Sequence, residues 1–136
     1  MTNKLILDTH IIIWYIEGIN LNKEQVKIID DYQKNNNLYI SAISIWEISM
    51  LTSKNKITFS VSLDEWIDNL LSIPGLNLVN LSPSILIESC NLTNLNHKDP
   101  ADRMIIATAR NLNAHLMTAD QKILDYAKQG HLKVIE

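Results

Sequence analysis

Four acidic residues follow strand-like or helix-opening segments at wide intervals along the chain: Asp8, Glu47, Asp102 and Asp120. Such a set offers hard oxygen ligands and little else. That suits Mg²⁺ or Mn²⁺, which keep several waters and engage phosphate directly. Ions held this way generate a hydroxide and stabilise both the attacking and the leaving oxygen of a phosphodiester displacement. Each acid also has a plainer reading, because all four lie near helix starts, where carboxylates cap amides and complement the dipole. Ser44-Ile45-Trp46-Glu47 fits a capping box, Asp99-Pro100-Ala101-Asp102 fits a well-made helix start, and Asp120 fits an N-cap. Taken singly, each acid is read more readily as a cap than as a ligand. Periodicity alone leaves the two readings of the set about evenly matched.

The elements that must position these acids alternate between strands and helices. Lys4 to Leu7 is a short apolar run ending at Asp8-Thr9, as expected of a strand buried on both faces. A short helix over residues 10 to 17 follows. Asn22 with Gln25 forms a capping-box pattern that opens a helix through Val26, Ile29 and Tyr32. Leu38 to Ile40 reads as the second strand, with a helix from Ser41 that carries Ile45, Ile48 and Leu51. Ser62 and Glu65 repeat the capping-box pattern before Trp66, Leu70 and Leu71. Leu76 to Val79 is a third strand, Ser84 to Leu92 reads as helix, and Asp99-Pro100 opens another with proline at its first position. His115 to Met117 is a fourth strand, followed by Thr118-Ala119-Asp120 and a helix to about Lys128, and Lys133 to Ile135 reads as an edge strand. The alternation predicts an α/β fold with a mainly parallel central sheet flanked by helices. Right-handed crossovers then gather the residues just after each strand on one edge, where ligands bind.

A chain of 136 residues fits one domain, 1–136, with neither an internal repeat nor a low-complexity linker. The longest apolar run, Ile11 to Ile16, is too short to span a bilayer, and the N-terminus carries no signal-peptide pattern, so a cytoplasmic protein is expected. The single cysteine, Cys90, excludes an intramolecular disulfide and a cysteine-rich zinc site, and is read as a small buried hydrophobe. Twelve basic residues against fifteen acidic ones give a net charge of −3, which counsels against nucleic-acid binding. Acids gathered around metal ions escape that objection, since bound cations reverse the local field.

At these residues the chain resembles the PIN domain, and within it the VapC-type toxins of bacterial toxin–antitoxin pairs. Leu7-Asp8-Thr9-His10 looks like the family's opening strand and first acid, and Ser44-Ile45-Trp46-Glu47-Ile48 like its second motif. The stretch from His97 to Ala109, built around Asp99-Pro100-Ala101-Asp102-Arg103, is the most specific match and contains Asp102 as the third acid. Thr118-Ala119-Asp120 resembles the closing motif, with Asp120 as fourth acid and Thr118 as a supporting hydroxyl. One departure is Ala101, where close relatives often carry a bulky aromatic. The resemblance implies a PIN-like three-layer fold and a Mg²⁺- or Mn²⁺-dependent endoribonuclease cutting RNA, often a transfer RNA. It also implies a homodimer and a cognate antitoxin that blocks the site with an extended segment.

The mechanism expected from this resemblance has Asp8 and Asp102 holding the principal ion, Glu47 and Asp120 completing the pocket, and metal-activated water cutting the phosphodiester. Asp99 supports the site and is read more readily as an N-cap than as a ligand, and Arg103 as a partner for a carboxylate or a phosphate, with a purely structural ion pair equally open. Lys54, Lys56, Lys98, His97 and Arg110 are candidate RNA contacts, each equally readable as solvated charge; His10 also flanks the site. Trp14, Tyr15 and Trp46 fit base stacking, but their helix positions favour core or dimer packing. A haloacid dehalogenase-type phosphatase would need a second acid at position 10, which is His. A receiver-like phosphoacceptor would need paired acids after the first strand. An inactive PIN interaction module, or a PIN nuclease outside any toxin–antitoxin pair, remains as the alternative.

Overall fold

The structure, a computed structural model, describes residues 3–92, 95 and 99–136. Five parallel strands form one sheet in the order β3-β2-β1-β4-β5, made of Leu76–Val79, Leu38–Ser41, Leu5–Leu7, His115–Met117 and Val134–Ile135. The helices between them are α1 (Thr9–Glu17), α2 (Lys23–Lys34), α3 (Ala42–Ser53), α4 (Leu63–Leu71), α5 (Pro83–Cys90), α6 (Pro100–Leu112) and α7 (Gln121–Ala127). The sheet is parallel throughout, as the strand–helix alternation requires. Among the described residues, no helix is long and apolar enough to cross a membrane.

Strand periodicity divides the core into two layers. Leu5 and Leu7 point to one face, where Leu38, Ile40 and Met117 join Ile11, Ile12, Ile29, Ile48 and Trp66. Ile6 points to the other, packing with Leu116 against Ile105, Ile106, Ala109, Ile123 and Tyr126. Burying each such aliphatic side chain contributes about 1.5–3 kcal/mol, and this two-sided burial is why β1 reads as an unbroken apolar run.

Local capping fixes most helix starts. Asn22 and Gln25 form the full reciprocal capping box of α2. Ser62 accepts from the Glu65 amide at α4. Helix α5 starts one residue earlier than the pattern suggests, with Pro83 at its first position and Ser82 as cap. Its phase also corrects the reading of Cys90 as a buried hydrophobe. The thiol is exposed, because Ser89 takes the inward position and closes its hydroxyl onto the Leu86 carbonyl.

The strand order carries the functional consequence. From β1 the chain builds outward through β2 and β3, then returns to the other side of β1 to add β4 and β5. The carboxyl ends of β1 and β4 therefore flank a topological switch point, the place where open parallel sheets leave a crevice.

Candidate active site

Asp8 leaves β1 at that switch point and caps α1. Its Oδ1 accepts the Thr9 amide at 2.8 Å, and its Oδ2 accepts the Thr118 hydroxyl from the far side of the crevice at 2.6 Å. Thr118 follows β4 and also accepts the Asp120 amide at 3.0 Å, so one hydroxyl ties the two strand ends together. Asp120 caps α7 through the amides of Lys122 and Ile123. Asp99 caps α6 through the amides of Ala101 and Asp102, both on Oδ1, and Asp102 lies in the first turn. The caps read from the sequence are real, and they are also the scaffold that aims the acids.

Glu47 is the exception. Helix α3 begins at Ala42 with Ser41 as its cap, so Glu47 sits beyond the first turn and no capping box joins it to Ser44. The Ser44 hydroxyl is fully buried and meets the Thr9 hydroxyl at 2.9 Å, while Thr9 donates to Glu47 Oε1 at 2.5 Å. Glu47 is thereby held from α1 rather than by its own helix.

The five carboxylates of Asp8, Glu47, Asp99, Asp102 and Asp120 line one cavity of about 300 Å³, together with Thr9, His10, Trp14 and Ala119. Burial pushes the Asp8 carboxyl above the ordinary carboxylate range, against the hydrogen bonds from Thr118 and Thr9; nearby Asp120 adds to the rise. Glu47 is raised for the same first reason, with repulsion from Asp8 and Asp99 adding to it and the Thr9 bond opposing it. These groups favour a positive partner. A carboxylate oxygen from each of Glu47, Asp99 and Asp102 lies within 4.8 Å of the others, an all-oxygen donor set suited to a hard divalent cation. Asp99, read from sequence more readily as a cap than as a ligand, is both a cap and a member of this cluster.

The other sequence candidates fall elsewhere. Arg103 donates to the carbonyls of Ser89 and Leu95, tying α6 to the last turn of α5 and to the segment after it. Arg110 lies two turns beyond Asp102, ion-paired with Glu88 at 2.7 Å and bonded to the His131 carbonyl, in a separate cleft. Lys54 and Lys56 are exposed past the C-terminal end of α3 and do not line the acidic cavity. His97 and Lys98 lie outside the described residues. Trp14 packs on the core and borders the cavity, Tyr15 is bonded to Asp30 and Gln33, and Trp46 is 55% exposed. Core packing thus accounts for Trp14 but not for Trp46, which lines an apolar hollow with Ile43, Met50 and Met104.

Sequence reasoning missed Thr9 and Ser44. The available signal was a hydroxyl directly after the first acid and another one turn before the second. Thr118 yields a direct test of the site's construction. Thr118→Val keeps the shape but strands an oxygen of Asp8 and the amide of Asp120, which is expected to cost about 1–3 kcal/mol. Urea unfolding should show a lower midpoint at an unchanged slope, with Thr118→Ser close to the parent.

Known proteins share this architecture. A model of the PIN domain family matches residues 5–129. Ribonuclease VapC22 of Mycobacterium tuberculosis is 27% identical over 120 residues, covering 88% of either chain. Among solved structures, VapBC2 from Rickettsia felis bound to a DNA fragment from their promoter superposes with a TM-score of 0.71 at 20% identity, over 96% of both chains. FitAcB from Neisseria gonorrhoeae gives 0.69 at 17% identity, over 97% of this chain and 96% of that one. A toxin–antitoxin complex from Klebsiella pneumoniae gives 0.65 at 21%, over 98% and 97%. At such identities the structures speak for the fold, while the family match extends over nearly the whole chain: it belongs to the PIN domain family.

Proposed function

We propose that this chain is a metal-dependent endoribonuclease, the toxin of a type II toxin–antitoxin pair. The observation that carries the reading is the convergence of five carboxylates on one cavity at the switch point. Its support is the ribonuclease relative and the recurrence of toxin–antitoxin complexes among the structural neighbours. In this reading the whole chain, 1–136, is a single PIN domain working in the cytoplasm. Its substrate is RNA, with transfer RNA the first class to try. It forms a homodimer and is held in check by a cognate antitoxin.

Asp8 and Asp102 are the proposed principal ligands of Mg²⁺ or Mn²⁺, Glu47 and Asp120 complete the functional acids, and Asp99 joins Glu47 and Asp102 in the donor set. When bound, such an ion supplies Lewis-acid stabilisation of charge on the phosphate and a nucleophile at neutral pH. The chain supplies position. Thr118 and the Thr9 amide fix both oxygens of Asp8, and Asp120 lines the same cavity as Glu47. Uncompensated, these acids would repel an RNA backbone; neutralised, they leave Trp14 and His10 at the border of a cavity open to a strand.

Cleavage of a labelled RNA should require Mg²⁺ or Mn²⁺ and stop with chelator. Binding to the folded state alone contributes about 2.7 kcal/mol at a hundred times Kd. Thermal unfolding should therefore rise by several degrees on adding Mn²⁺. No cleavage under any divalent ion, with no shift in Tm, would overturn the nuclease reading and favour an inactive interaction module.

A further inference from the structure

We propose that Thr9 is a positioning residue that couples two acids of the site, and that Ser44 completes a directional hydroxyl relay behind it. This rests on the metal-dependent reading above and adds to it how the donor set is held. Thr9 is only 2% exposed, and Ser44 is fully buried. The Thr9 hydroxyl lies 2.5 Å from Glu47 Oε1 and 2.9 Å from Ser44 Oγ. A hydroxyl carries one proton, and a carboxylate can only accept. Thr9 therefore spends its proton on Glu47, and Ser44 must donate to Thr9. The relay runs Ser44 to Thr9 to Glu47.

The same residue holds Asp8 through its backbone, with its amide 2.8 Å from Asp8 Oδ1. Thr9 thus fixes one acid from β1 and another from α3, two elements far apart in sequence. Glu47 has three side-chain torsions and sits beyond the reach of its own helix cap. Without a fixed donor it would sample rotamers that take its carboxylate away from Asp99 and Asp102. Ser44 is the third residue of α3, so no carbonyl of its own helix lies four residues back, and its hydroxyl reaches across to α1.

Calorimetric titration of the full chain with Mn²⁺ alone tests this, because it reads ion affinity without turnover. Thr9→Val preserves shape and the amide bond to Asp8 while removing the hydroxyl. It is expected to weaken Mn²⁺ binding about 10–100-fold, the usual scale for losing a group that orients a ligand. Thr9→Ser should restore affinity to within about threefold of the parent, which a role in packing the methyl group would not predict. On a Glu47→Gln background, Thr9→Val should add little, since Thr9 acts through Glu47. Should Thr9→Val fail to fold, Ser44→Ala carries the test and is expected to weaken binding in the same direction. Parental affinity in folded Thr9→Val, a full additional loss on the Glu47→Gln background, or parental affinity in Ser44→Ala where that variant is needed would overturn the proposal. Absence of Mn²⁺ binding by the unaltered chain would instead overturn the metal-dependent reading itself.

Discussion

Asp8→Asn is expected to abolish RNA cleavage and, in chelator at neutral pH, to make the protein more stable than the parent. Asp8 is 7% exposed, and burial holds its carboxyl above the ordinary carboxylate range in the folded chain. A group whose folded pKa lies above its unfolded value of about 3.9 contributes its full stabilisation below that pH. The contribution is lost as pH rises through the folded pKa, so at pH 7 the buried charge is a standing cost. Asparagine avoids it: its carbonyl can still accept from the Thr9 amide, and its amide can donate to the Thr118 oxygen. Tm in chelator should rise at pH 7, and the gap to the parent should close as pH falls toward 4. Mn²⁺ should reverse the order, stabilising the parent and leaving the variant nearly unmoved. Cleavage should drop by about 10²–10³-fold or more, the scale of removing one preorganised electrostatic group. Parental cleavage by Asp8→Asn would sink the catalytic assignment. A variant less stable than the parent in chelator at pH 7 would show that burial is not what Asp8 costs the fold.

Features set by local pattern were legible in the chain, and those set by tertiary packing were not. The strands and helix starts follow from periodicity and capping residues, so β1, β4 and the N-caps at Asp99 and Asp120 could be read directly. Strand order could not, yet it turns Asp8 and Thr118 into neighbours across 110 residues. Glu47 shows a second limit. Ser44 and Glu47 have capping-box spacing, but spacing does not reveal that Ser41 has already opened the helix. The inward turn of Ser44 toward Thr9 depends on how α1 and α3 pack, which no local pattern encodes. Arg110 illustrates the opposite error. It shares a helix with Asp102, but eight residues carry it about 12 Å along the axis, to an ion pair with Glu88. Residue type misled at Cys90, where helical phase places a usually buried side chain toward solvent.

Gly75→Ala should produce a large loss of stability from the opposite end of the sheet. Ile73, Pro74, Gly75 and Leu76 form the turn into β3, closed by the Leu76 amide on the Ile73 carbonyl at 3.3 Å. Gly75 has φ of +84°, in the left-handed region that L side chains rarely adopt. A Cβ there would lie 1.9 Å from the Gln33 carbonyl oxygen, a backbone atom at the end of α2. That carbonyl cannot rotate aside as a side chain would, and the Gln33 amide side chain also donates to Pro74, fastening the turn to the helix. Backbone strain and overpacking therefore add, for an expected cost of about 3 kcal/mol or more. In a chain of this size that corresponds to a Tm lower by roughly 10 °C. Gly75 precedes β3, whereas Asp8, Glu47 and Asp120 follow β1, β2 and β4, so the turn and the cavity occupy opposite ends of the parallel strands. At a temperature where Gly75→Ala remains folded, its affinity for Mn²⁺ and its cleavage rate should match the parent. Asp8→Asn should do the reverse, keeping the fold and losing the chemistry. If Gly75→Ala lost Mn²⁺ binding while still folded, the β3 edge would have to be coupled to the acidic cavity through β2, and the separation of scaffold from site would fail.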